Sequence, residues 1–119
     1  MFENLLEKVK KKCGIADSVT VYDSDAIDYI NDAIYDMKTA GVPEDILPDL
    51  ITESNTYAEG MDPRTINTIA LYVKAYIGED RSDTDKYLKM YHDRVSKLSI
   101  LSSEKGAPTA ASSVSTESS

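Results

Sequence analysis

The chain has 119 residues and a net charge of −8, with 13 basic against 21 acidic side chains, one cysteine, one histidine and no tryptophan. That length holds one domain with one modest core, burying somewhat over ~60% of the surface that the unfolded chain exposes. A single cysteine excludes a disulfide framework and a cysteine-based zinc set. No apolar run approaches the roughly 18 residues of a membrane span.

The charge is distributed unevenly. Residues 1 to 12 sum to +2, residues 13 to 62 carry twelve acids against Lys38 alone, residues 63 to 101 sum to +2, and the remainder contributes −1. Such asymmetry speaks to partners rather than to fold. A nucleic-acid backbone is held by lysine and arginine neutralising phosphates, so a carboxylate-rich surface is a poor landing site for DNA. The opening Met1-Phe2-Glu3-Asn4 has no charged-then-apolar signal pattern, which predicts a protein made and kept in a cytoplasm.

In chain order, Phe2, Leu5, Leu6, Val9 and Cys13 fall on one stripe of 3.6-residue period. Gly14 followed by Ile15 is the composition of a helix that closes with a left-handed residue and a hydrophobic clasp, so a first helix to about Cys13 is expected. After an extended stretch, Ser18 to Tyr22, comes DSDAIDYINDAIYD, residues 23 to 36, where five aspartates and Asn31 crowd into fourteen positions. Ser24 is placed to cap this helix and Gly41 to end it. At 100° per residue, Ile27, Ile30, Ile34 and Met37 cluster within roughly 80°, and Asp25, Asp28, Asp32 and Asp36 within about 80° on the far side. Like charges at these spacings repel by a few tenths of a kcal/mol per pair, so burial of the isoleucine face has to offset them.

A proline-punctuated link, Val42 to Met61, carries Ile46, Leu47, Leu50 and Ile51 in position for a short helix near Pro43 or Pro48. Asp62-Pro63 is a start signal: aspartate caps, and proline occupies a first helical position where no hydrogen bond is lost. Ile66, Ile69, Ala70, Val73 and Ile77 form the main stripe of the helix that follows, with Leu71 and Ala75 opposite. A helix apolar on nearly all sides belongs in the middle of a bundle. Gly78 is expected to stop it, and after a polar turn, Glu79 to Asp83, a last helix brings Tyr87, Leu88, Tyr91, Val95 and Leu98 into register. Its basic residues Lys89, Arg94 and Lys97 lie in the half where the helix dipole favours them. Beyond Leu101 the sequence SSEKGAPTAASSVSTESS has too little apolar area to offset the entropy of ordering, so a flexible Ser/Thr-rich tail is expected over 102–119. The expected class is all-α: a small bundle of about four to five helices over residues 1–101, with a disordered C-terminal tail.

The chemistry is sparse. An EF-hand loop needs glycine at its sixth position and glutamate at its twelfth, where this chain has Asp28 and Ile34, so the aspartates read as a solvated face and no metal ligand is assigned. Cys13 lies on the apolar stripe and His92 off the buried side of its helix, leaving no nucleophile with a positioned base. No glycine-rich phosphate loop is present. No catalytic residue and no cofactor is assigned, and the chain does not read as an enzyme. Eight tyrosines with one phenylalanine suit half-buried positions, either rimming a monomer's core or where subunits meet.

The run TINTIALYVKAYIGED, residues 65 to 80, with DKYLKMYHDRVSKLSIL, residues 85 to 101, resembles the C-terminal half of the small phage or prophage head-tail connector (adaptor) family. LLEKVKKKCGI, residues 5 to 15, and the acidic start of the second helix are similar to that family's beginning. The resemblance covers most of residues 2 to 101; the prolines and acids of 42–61 and the Ser/Thr-rich tail depart from the pattern. It implies a structural virion protein that sits as a ring, dodecameric in the virion, below the portal protein. Assembled in the host cytoplasm, such a ring would extend the DNA channel, pass DNA without specific binding, and meet a stopper or tail-side protein, with no membrane contact. On that implication Asp25, Asp28, Asp32 and Asp36 face the channel or an outer surface, and Leu98, Ile100 and Leu101 are candidates to touch the portal or a neighbouring copy. The alternative from charge alone is an acidic helical binding module, such as a DNA-mimic inhibitor or a small prophage regulatory protein.

Overall fold

The computed structural model describes residues 2–59, 62–77 and 82–106, with side chains as far as Leu101. Four α-helices dominate: α1 (Leu5–Lys12), α2 (Asp23–Thr39), α3 (Pro63–Tyr76) and α4 (Thr84–Gly106). A 3-10 turn, Glu44–Ile46, lies in the link, and a two-residue antiparallel pair joins β1 (Glu3–Asn4) to β2 (Tyr57–Ala58). The molecule is thus mostly helical, as the periodicities predict.

Local chemistry sets the helix ends. Asn4 Oδ1 accepts from the Glu7 amide at 3.1 Å while Asn4 Nδ2 donates to the Glu7 carboxylate at 3.0 Å, a reciprocal cap that starts α1 at Leu5. The chain before that cap is therefore extended and pairs with Tyr57–Ala58, and Phe2, expected on the stripe of the first helix, is exposed instead. Both α1 and α2 close in the same way. Gly14 (φ +77°) and Gly41 (φ +96°) take the left-handed conformation, and the amides of Ile15 and Val42 reach back to the carbonyls of Lys10 and Met37 at 2.9 and 3.0 Å. Asp62 caps α3 through the Arg64 amide at 2.9 Å with Pro63 at the first helical position, as its sequence predicts. Gly78, the expected stop, lies outside the described residues, and α3 gives way at Ile77.

The core sits where the stripes converge. Helix α3 packs against α1, α2 and α4, which explains why it is apolar on most sides. Ile30, Met37, Ile66, Ile69 and Tyr91 are among its fully buried side chains. Three expectations are corrected. Helix α2 begins at Asp23 behind Tyr22 with no side-chain cap, so Ser24 lies inside the helix rather than capping it. Ser18 to Tyr22 makes turns rather than an extended stretch, and Val19 and Val21 are exposed. The last helix does not end near Leu98 to Leu101 but continues to Gly106. The expected tail therefore begins with helix at 102–106, and its remainder, 107–119, lies outside the described residues.

Candidate functional site

The crowded aspartates of α2 separate into distinct roles. Asp23 pairs with the buried Lys10 ammonium at 2.9 Å; that ammonium also donates to the carbonyls of Val19 at 2.8 Å and Asp17 at 3.3 Å. One lysine thus ties the 16–22 loop and the start of α2 to α1, through two hydrogen bonds and one ion pair. Asn31 is a clamp: its amide accepts from the Ile51 N–H at 3.0 Å and donates to the Ile51 carbonyl at 2.8 Å, holding the proline-rich link on α2.

Asp25, Asp28, Asp32 and Asp36 are all exposed on the outer side of α2, opposite the buried Ala26, Ile27, Ile30, Ala33, Ile34 and Met37. Asp36 accepts the hydroxyl of Tyr91 at 2.7 Å. Asp25, Asp28 and Asp32 have no hydrogen bond or salt bridge among the described residues. Among those residues no group of three histidine, cysteine, aspartate or glutamate side chains is gathered as a metal would need.

Tyr91 belongs to a chain of rings that runs on to His92, edge-on against it at 5.2 Å. Tyr29 lies tilted against Tyr76 (centroids 5.6 Å), Tyr76 tilted against Tyr72 (5.0 Å) and Tyr72 edge-on against Tyr91 (5.1 Å), stitching α2, α3 and α4 together. Burial, then the hydrogen bond to Asp36 and its negative field, push the Tyr91 phenol far above its ordinary value. Tyr72 is shifted upward by burial and by its neighbours Tyr76, Asp32 and Asp36. Cys13 is half-buried against the core, with burial raising its thiol to about 11 against the weaker opposing pull of Lys74. That is the environment of an inert packing cysteine rather than a nucleophile.

A second feature lies between α3 and the far half of α4. A groove of about 290 Å³ is walled by Arg64, Thr68, Arg94 and Lys97 over Leu98 and Leu101. Arg64 is held in a fork by Asp62 at 2.8 and 3.1 Å, which keeps the Asp62 carboxyl below the usual carboxylate range. Lys97 reaches Asp93 at 3.1 Å, and Arg94 has no partner among the described residues. Of the three candidate contact residues, Leu98 is buried and Leu101 packs partly against the core, because the helix carries on past them; Ile100 is exposed. In the sequence the groove was hidden, since Arg94 and Lys97 read as partners of the helix dipole. Their spacing of three, followed by Leu98 and Leu101 at the same spacing, was the available signal.

A family model described as phage connector protein matches residues 5–105. The chain belongs to the phage connector family. The match begins at the first residue of α1 and ends in the last turn of α4, so it takes in the whole helical framework, the acidic stripe and the groove. No curated protein and no solved structure matches the chain. The family to which the two C-terminal helices drew attention is therefore the family found, and with it comes a structural role at the phage head-tail junction. No helix among the described residues of this connector is long and apolar enough to cross a membrane.

Proposed function

We propose that this connector is a head-tail adaptor that assembles as a ring on the portal protein, in the virion a dodecamer, after its subunits are made in the host cytoplasm. The ring extends the DNA channel and offers its far side to a stopper or tail-side protein. The observation that carries this reading is the family match across all four helices. The chemistry agrees with it: the described residues form a packed scaffold in which polar side chains serve as a cap, a clamp and ring contacts. A chain of net charge −8 gives a DNA backbone little to hold, so DNA passes the ring without being bound.

The reading is tested by disrupting the coding region in the phage that carries it and examining particles by electron microscopy. DNA-filled or leaking heads without tails are expected, restored to tailed particles when the chain is supplied in trans. Normal tailed particles from the disrupted phage would refute it.

A further inference from the structure

We infer that the groove between α3 and α4 receives the outer face of α2 from a second copy of this chain, so that copies join head to tail. The inference deepens the ring reading above and rests on it. The groove has an apolar floor, Leu98 and Leu101, and a cationic rim, Arg64, Arg94 and Lys97. Arg94 is unpaired among the described residues, and Lys97 is held only by an exposed pair with Asp93, the kind of pair that contributes little and exchanges readily. Such a site fits an amphipathic helix bearing carboxylates and one large apolar group.

The outer face of α2 has that composition. Asp28 and Asp32 are exposed without hydrogen-bonded or ionic partners among the described residues, and Tyr35, 57% exposed, sits about 20° around the helix from Asp28 at the α-helical turn angle. Asp28 and Asp32 are four residues apart, about 6 Å along the axis, and Arg94 and Lys97 are three apart, about 4.5 Å, a mismatch that long cationic side chains absorb. Tyr35 supplies the aromatic anchor that interface centres favour, directed to the leucine floor. The division of charge along the chain selects the pairing: two acidic 13–62 faces repel each other, while one attracts the 63–101 face of the next copy. A contact between two unlike patches does not terminate at a dimer; it propagates and closes into a ring where the rotation permits.

The test is sedimentation velocity of the full chain, at low salt and up to millimolar concentration, on four proteins whose helicity is first matched by circular dichroism. The wild type is expected to associate and to dissociate as salt is raised. Asp28→Lys with Asp32→Lys, and separately Arg94→Glu with Lys97→Glu, each weaken association on the order of tenfold or more; the four changes combined restore it to within about threefold of wild type. A wild type that stays monomeric, or an association untouched by both reversals, overturns the inference. So does a groove reversal that abolishes capture by purified portal rings while self-association persists, since that assigns the groove to the portal. Capture of the wild type by portal rings is scored separately: its absence defeats the parent reading, and its presence alongside insensitive self-association leaves that reading standing and removes only this interface.

Discussion

Tyr91 shows how a single side chain ties the acidic helix to the bundle. Its ring is fully buried and its hydroxyl donates to the exposed Asp36, so one of the four stripe carboxylates serves the fold as well as the surface. Replacing Tyr91 by Phe keeps the ring stack and removes a hydrogen bond to a charged acceptor, a loss of about 1.5–2 kcal/mol in denaturant unfolding at neutral pH. The pH dependence gives a sharper check. The folded phenol is held above its ordinary value of 10.0, so the folded chain keeps its proton while the unfolded chain loses it above pH 10. The unfolded state then binds fewer protons, and wild-type stability falls with rising pH by up to about 1.4 kcal/mol per unit from this group. The Phe variant lacks that slope, so the two stability curves converge above pH 10; parallel curves would contradict the assignment. Cys13, raised from 9.0 to about 11, acts with the same sign, its contribution lost as pH rises through that interval.

At the scale of elements, what the sequence made legible was what obeys a period or a local rule. The stripes of α2 and α3, the glycine closures at Gly14 and Gly41 and the Asp62-Pro63 start depend on neighbours within four or five residues, and they stand where the periodicity places them. What escaped is tertiary. A two-residue strand leaves no alternation to read, so the pairing of Glu3–Asn4 with Tyr57–Ala58 was invisible, and with it the displacement of Phe2 from the helix. Asn31, sitting among aspartates, gave no hint that it clamps Ile51 from twenty residues away. The groove was likewise hidden, because its wall comes from two helices. For Asn31→Ala we expect about 2 kcal/mol of destabilisation, from two part-buried hydrogen bonds lost and an Ile51 N–H and C=O left unpaired. Hydrogen exchange should show faster exchange across the link around Ile51 with little change in α3. Uniform acceleration throughout the chain would mean that the link is not separately anchored.

At the scale of the molecule, the fold is a carrier of surfaces. Its interior is closed by isoleucines, tyrosines and caps, and its chemistry lies outside, in an acidic helix face and a cationic groove. The family match over residues 5–105 gives that arrangement its context, a structural part at a phage head-tail junction. The proposed ring sets twelve copies of this chain on one portal. The most direct measurement is the native mass of purified portal rings before and after saturation with the connector. One discrete increase is expected, equal to twelve chains of 13.1 kDa, with partial occupancy sparse between the two species. No increase at saturating connector, or an increase that does not correspond to a twelve-copy ring, would refute the proposal.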